Sequence, residues 1–284
     1  MSICGGEGER MRIQKHFLVL VTALMLVPAV AMPAGAIVFG EPDGEDHPNV
    51  GSIVLDVPER GLLQFCSGTL IDDRVFLTAS HCTAALDSIV EEFDATVLVT
   101  FDPTISANGT FFTGTWHTNP DFGFSGKGGA SDPGDVAVIV LDDDPGITPA
   151  RLPEAGLLDE LKAAGTLKDT RFTAVGYGTV RDSMRTGFEG ILDNVDRNRA
   201  EQGFNSLTAA WLTLPMTSTP GLDNGGTCYG DSGGPHFIHL DGVETDIVAS
   251  ITVTGDAVCK ASDKTYRMDT ESARSFLGDF VDLP

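Results

Sequence analysis

Ser232 lies in the run Thr227–Pro235, TCYGDSGGP, and the groups able to activate it stand before it in the chain. His81 sits in Thr78-Ala79-Ser80-His81-Cys82, directly after the apolar run Val75–Leu77. Asp135 heads a second apolar run, Val136–Leu141. The order His81, Asp135, Ser232 constrains the fold more tightly than any composition does. Gly230-x-Ser232-x-Gly234 also fits the nucleophile elbow of an α/β-hydrolase, but that fold places its acid and its histidine after the serine. Here only His236 and His239 follow, on the strand pattern that begins directly after Ser232. They are too near in sequence to return as a base from another loop, so the elbow is excluded.

The rest of the chain agrees with a strand-and-turn plan. Runs of strand-forming residues recur between turn residues, with Gly at 33 and Pro at 15. Strands are expected near Ser52–Val57, Leu63–Ile71, Arg74–Leu77, Thr96–Phe101, Val136–Leu141, Arg171–Val175, Trp211–Leu214, His236–His239, Ile247–Thr254 and Thr265–Met268. Helical periodicity is scarce. Leu157, Leu158 and Leu161 share one face of a short helix, and a second helix is expected at Ser272–Val281, burying Phe276, Leu277 and Phe280. The class is all-β with a helical end. No internal repeat occurs.

The N-terminus reads differently. Arg10, Arg12, Lys15 and His16 precede the apolar run Phe17–Val27, and Pro28 and small residues follow. Eleven apolar residues cannot span a hydrocarbon core of about 30 Å. A charged start, a short apolar middle and a small-residue end describe a secretory signal peptide over residues 1–36. Met11 offers an internal start. Cleavage motifs of the Ala-x-Ala type stand at Ala34-Gly35-Ala36 and at Ala29-Val30-Ala31. The second would leave a short propeptide, Met32–Ala36. Removing the signal also removes Cys4. Cys66, Cys82, Cys228 and Cys259 remain, an even number that in an exported chain reads as two disulfides with three possible connectivities.

Charge narrows the partners. Lys plus Arg is 18 against 41 Asp plus Glu, a formal charge of -23. Such a chain repels phosphate backbones and anionic membranes, so no nucleic-acid partner is expected, and no membrane association after signal removal. The Gly-rich stretch Gly123–Gly134, with Gly126-Lys127-Gly128, lacks the Ser or Thr and the following helix of a P-loop, and reads as a surface loop. Asp142-Asp143-Asp144 reads as a solvated turn rather than a calcium site. Asn108-Gly109-Thr110 is a glycosylation sequon. His47, His117, His236 and His239 are read as structural. No metal and no cofactor are expected.

Taken together, the motifs resemble the trypsin-like, chymotrypsin-fold serine proteases from about Ile37 to the C-terminus. They are Ile37-Val38-Phe39-Gly40, CSGTLI at Cys66–Ile71, TASHC at Thr78–Cys82, DVAVIVL at Asp135–Leu141, VGYG at Val175–Gly178, GDSGGP at Gly230–Pro235 and TYRMDT at Thr265–Thr270. The resemblance implies two six-stranded antiparallel β-barrels and a C-terminal helix. One barrel would span about 37–150, the other about 151–270, with the helix at 272–281. It implies a catalytic triad of Ser232 as nucleophile, His81 as base then acid, and Asp135 orienting His81. A free serine hydroxyl is a weak nucleophile and needs an imidazole to take its proton. The backbone N–H groups of Gly230 and Ser232 would form the oxyanion hole. The same resemblance pairs Cys66 with Cys82 and Cys228 with Cys259.

It also places a substrate pocket. Gly226, six residues before Ser232, stands where an acid would select Arg or Lys, so no basic preference is expected. Ser250 and Thr252 would line the wall, and Lys264 would stand opposite. Small or medium neutral side chains are favoured before the scissile bond, with acidic ones the alternative if Lys264 points inward. Activation is expected from the freed amine of Ile37 pairing with Asp231, with signal peptidase cutting after Ala36, or a second protease doing so after a first cut at Ala31. The expected product is a secreted, monomeric endopeptidase, extracellular or periplasmic, acting on protein or peptide substrates and open to protein inhibitors. The alternative is a catalytically silent relative that serves as a binding protein.

Overall fold

The computed structural model describes residues 37–123, 131–181, 187–217 and 224–284. The expected signal peptide, the propeptide Met32–Ala36 and Gly126-Lys127-Gly128 lie outside the described residues.

Two antiparallel sheets carry the fold. In the first, β2 (Val50–Val57), β3 (Gly61–Asp72), β4 (Val75–Thr78), β5 (Thr96–Thr100), β6 (Gly114–Thr118) and β7 (Ala137–Leu141) pair in the order β5-β2-β3-β4-β7-β6. Its two edges meet where Val99 of β5 and Phe112, just before β6, exchange both backbone hydrogen bonds at 2.8 Å. That contact curls the sheet closed around Leu70, Phe76, Leu77 and Ile139, all buried.

The second sheet holds β1 (Glu41–Pro42), β8 (Phe172–Gly176), β11 (Asn198–Gln202), β12 (Ser206–Leu207), β13 (Trp211–Pro215), β14 (Pro235–Leu240), β15 (Val243–Gly255) and β16 (Ser262–Arg267). Their order is β1-β11-β8-β14-β15-β16-β13-β12. Six of these strands have five or more residues; β1 and β12 are two-residue additions at the edges, so the sheet has eight strands rather than six. Phe172, Leu212, Leu214 and Ile238 fill its interior. A small pair, β9 (Val180–Arg181) and β10 (Ile191–Leu192), stands apart. The segment after Ile37 pairs with the second sheet, Glu41 opposite Arg199, although it precedes the first sheet in sequence.

All ten expected strands are present, with ends shifted by a few residues. β6, β11 and the two-residue strands β1, β9, β10 and β12 are additional. β11 alternates buried and exposed positions, but its buried residues include Asn198 and Gln202, so no hydrophobic alternation marks it. A 14-residue helix, α1 (Ser80–Phe93), is also additional and starts at the residue before His81. The helix α2 (Leu157–Ala164) forms as expected, with Leu158 buried. The last helix, α3 (Glu271–Leu277), is seven residues long and shorter than expected. Thr270 caps it by accepting from the Ala273 N–H, and the main chain turns out of the helix at Gly278. Disulfides join Cys66 to Cys82 and Cys228 to Cys259, as the resemblance implied. Closing loops of these lengths contributes about 3–4 kcal/mol each by chain entropy.

Candidate active site

His81 is delivered by the junction of β4 and α1. It occupies the first helical turn, where backbone N–H groups lack partners within the helix. Its own N–H donates to Asp135 Oδ1 at 2.9 Å, and its ring Nδ1 lies 2.9 Å from Asp135 Oδ2. One carboxylate thus fixes both the backbone and the ring. With Nδ1–H committed to Asp135, Nε2 keeps the lone pair of a base. Asp135 is buried, whereas the His81 ring is about a third exposed. Ser80 Oγ donates to Val136 O at 2.7 Å, tying the start of α1 to the residue after Asp135.

Ser232 comes from the loop before β14. Its carbonyl accepts from Ser67 N at 2.8 Å, and the Cys82 sulfur lies 3.9 Å from that same carbonyl. Gly233 makes the approach possible. It has φ +83°, and a Cβ there would fall 2.2 Å from Thr78 Oγ1 and 2.8 Å from Ala79 N. The serine loop therefore packs directly on the end of β4, the strand that presents His81. In this resting geometry Ser232 Oγ makes no hydrogen bond among the described residues. Such bonds often form only in the substrate complex.

The N–H groups around Ser232 divide in a telling way. Asp231 N donates to Cys228 O, Gly233 N to Thr252 O and Gly234 N to Asp231 O. Among the described residues Gly230 N and Ser232 N donate to nothing. Gly230 is held at φ +94°, with its carbonyl accepting from Gln64 Nε2 at 2.8 Å and Ser67 Oγ at 3.0 Å. Two donors on either side of Asp231 are thus left for an incoming oxygen.

Asp231 itself is fully buried. Its carboxylate accepts from Gly178 N at 2.7 Å and Cys228 N at 2.9 Å. Burial pushes its pKa up to about 7 despite those two bonds, and nearby Asp263 adds to the rise. Ile37 is also fully buried, packed with Ala174 and Ala200. The next residue, Val38, exchanges backbone hydrogen bonds with Gly226 at 2.7 and 2.9 Å.

A cavity of about 270 Å³ opens beside Ser232, lined in part by Cys228, Thr252, Gly255, Asp256 and Asp263. The expected pocket residues fare unequally. Thr252 lines the cavity. Ser250 is buried and turned away, accepting from Thr265 Oγ1 at 2.8 Å. The wall runs from Thr252 to Gly255, because Gly233 and Gly234 pair with Thr252 and not with Ser250. Gly226 does not line the cavity. A Cβ there would meet Met216 Cγ at 2.4 Å, so Met216 fills the space that a side chain would need.

Lys264 is likewise outside the cavity, with its Nζ 4.2 Å from the centre of the Trp211 ring. Asp263 and Lys264 are neighbours on β16, whose pairing with β13 is unbroken, so their side chains point to opposite faces of the sheet. The side chain facing the cavity is therefore the acid of Asp263. The expectation of no basic preference rests on Gly226 alone, and a carboxylate arrives from another strand.

The remaining histidines hold structural places. Burial pushes His236 down to about 3, and its Nε2 lies 3.0 Å from Thr252 Oγ1. His47 bridges Asp43 and Glu244 and stacks on Phe237. His117 packs on Phe280. His81 lies close to the sulfurs of Cys66 and Cys82, but these are joined to each other and offer no thiolate to a metal.

Two curled antiparallel sheets with a His–Asp pair, a serine between glycines and two unspent N–H donors describe a β-class serine hydrolase. The chain belongs to the trypsin family, whose model, described as Trypsin, matches residues 44–274; by that membership it is a serine endopeptidase. A curated relative named Trypsin from Saccharopolyspora erythraea is 28% identical over 201 residues, covering 69% of this chain and 78% of the relative. A solved structure titled HL collagenase is similar at a TM-score of 0.55 and 18% identity, covering 82% of this chain and 93% of that one. At that identity the likeness concerns the fold, which is chymotrypsin-like.

Proposed function

We propose that Ser232, His81 and Asp135 form the triad of an active, secreted endopeptidase. His81 Nε2 takes the hydroxyl proton as Ser232 Oγ attacks the scissile carbonyl carbon. The resulting oxyanion is received by the N–H groups of Gly230 and Ser232, each donor contributing about 3 kcal/mol. The intermediate collapses, the amine leaves with the proton from His81, and an acyl-enzyme remains. Water then gives its proton to His81 as it attacks the acyl carbon; His81 passes that proton to Ser232 Oγ as the bond to the acyl carbon breaks, and the acid is released. Asp135 stays ionised throughout and steadies the imidazolium. The observation that carries this reading is the pair of unspent donors on either side of buried Asp231. No feature of the site favours the silent binding protein. Ser232→Ala should lower kcat by about 10⁴-fold or more on a cleaved peptide while the melting temperature holds. Retained activity would overturn the assignment.

Activation follows from Ile37 and Asp231. A signal cut after Ala36 would free an amine at a residue that is already buried, and that amine would pair with the buried carboxylate of Asp231. The pair would stiffen the loop between Gly230 and Ser232. N-terminal sequencing of the secreted protein tests this: a start at Ile37 supports it, and a fully active protein starting at Met32 contradicts it.

A further inference from the structure

We infer that Gln64 of β3, acting with Ser67, is a positioning residue for the reaction: the two side chains lock the peptide that separates the donors on either side of Asp231. This rests on Ser232 being the nucleophile and on Gly230 N and Ser232 N receiving the oxyanion. Three consecutive peptide planes set the directions of those N–H groups. The plane of Tyr229 and Gly230 is held at its oxygen, where Tyr229 O accepts from Thr179 N at 2.7 Å. The plane of Asp231 and Ser232 is held likewise, with Asp231 O accepting from Gly234 N at 2.8 Å. In a trans peptide the N–H points away from the carbonyl, so each of these bonds turns one donor toward the opposite side. The middle plane, Gly230 to Asp231, sets the angle between the two. Its oxygen accepts from Gln64 Nε2 at 2.8 Å and Ser67 Oγ at 3.0 Å, and its N–H donates to Cys228 O at 3.1 Å.

Gly230 does not hold that plane by itself. Without a Cβ it takes positive and negative φ with similar ease, and it stands at φ +94°. The restraint comes from β3, in the other sheet. Ser67 is fully buried, and its hydroxyl oxygen accepts from Tyr177 N at 3.0 Å, so its own hydrogen is left for Gly230 O. Gln64 reaches the same oxygen because of a β-bulge. Ile53 of β2 pairs with Cys66, and the next residue, Val54, pairs with Gln64, so Phe65 is an extra residue in β3. In a regular strand, residues three apart point to opposite faces. The extra residue brings Gln64 round to the face of Ser67. Its amide then lies against the bare Cα of Gly230, where a Cβ would strike Gln64 Oε1. Turning the middle plane breaks the bonds to Gln64, Ser67 and Cys228 together. The two donors are thus aimed before charge develops on the substrate oxygen, and they need no reorganisation when it does. An interaction of that kind acts on the transition state more than on the bound neutral peptide, so it raises kcat rather than lowering KM.

The test uses the mature protein, a cleaved fluorogenic peptide and the variants Gln64→Ala, Ser67→Ala, both together, and Gln64→Glu. Labelling by a fluorophosphonate probe and the melting temperature are measured in parallel. Each single loss of a donor should lower kcat by about tenfold and the pair by about a hundredfold, with KM within about twofold of wild type. A peptide aldehyde, whose hemiacetal oxygen occupies the place of the oxyanion, should lose affinity by the same factor as kcat/KM. Gln64→Glu keeps the shape but sets an anion against a carbonyl. Its kcat, relative to wild type at the same pH, should be lowest at neutral pH and recover severalfold as pH falls through about 4–5, where the new carboxyl regains a proton to donate. A residue needed only for folding gives no such recovery. A double variant with kcat within about twofold of wild type, while the wild type labels normally, would overturn the proposal and leave the nucleophile assignment intact. A loss of kcat that Gln64→Glu does not recover at low pH would assign the pair to stability alone and overturn it too. Absence of labelling in the wild type would overturn the nucleophile assignment and this proposal with it. If Gln64→Ala does not fold, the pH profile of Gln64→Glu decides alone.

Discussion

Asp231 and His47 are buried ionisable residues whose shifts run in the same direction and arise from opposite causes. For Asp231, burial raises the folded pKa to about 7 while residue 37 is an ordinary amide. A carboxyl with a raised folded pKa supports the fold below its unfolded value near 3.8 and loses that support as pH rises through about 7. A freed Ile37 amine reverses this by stabilising the charged carboxylate. A protein starting at Ile37 should therefore keep its melting temperature from pH 6 to 8, whereas one starting at Met32 should lose several degrees over that range. Equal pH slopes in thermal unfolding would contradict the pairing. For His47, burial opposes the charge, but hydrogen bonds to Asp43 and Glu244 prevail and raise it to about 9. Its support is full below about pH 6.5 and is lost as pH climbs through about 9. His47→Gln should lower the urea midpoint clearly at pH 6 and only slightly at pH 9.5. An equal loss at both would show that the ring's charge is unimportant.

At the scale of elements, the site depends on how closely the Ser232 loop packs on β4. Gly233→Ala forces a Cβ to within 2.2 Å of Thr78 Oγ1 and 2.5 Å of Ser67 O, at a φ that L side chains rarely adopt. It should cost about 3 kcal/mol or more and reduce kcat, read by urea unfolding and peptide cleavage. A neutral effect would mean that the loop does not sit on β4. Elements differ in how far the sequence reveals them. The ten hydrophobic strand runs and the His81, Asp135 and Ser232 motifs were legible because local pattern and local chemistry coincide there. α1 was missed, although Cys82, Leu86, Ile89 and Phe93 follow helical spacing. β11 was not legible: Gln202 is buried because it bonds Asp263, 61 residues away. The pocket failed for a related reason. Counting back from Tyr266 puts Lys264 at the cavity, whereas its neighbour Asp263, on the opposite face of β16, lines it.

Across the whole molecule, Arg197 ties the parts together. It is buried, its Nε donates to Asp43 Oδ2 at 2.8 Å, and its other donors reach Gly44 O, Val50 O and Phe101 O. Those partners come from the segment after Ile37, from β2 and from the end of β5, so one side chain joins them to the edge of β11. Arg197→Met should cost about 3–5 kcal/mol in urea unfolding, because it leaves buried Asp43 with His47 alone as its cation and strips the carbonyls of Gly44, Val50 and Phe101 of a donor. A change below 1 kcal/mol would show that the cluster tolerates loss of its cation. The central claim remains that Ser232 is a nucleophile activated by His81 and Asp135. The most direct measurement is mass-spectrometric mapping of a fluorophosphonate adduct on the folded protein beginning at Ile37. A single adduct on Ser232, absent in His81→Ala, is the predicted result. No adduct, or an adduct on another serine, would contradict the account.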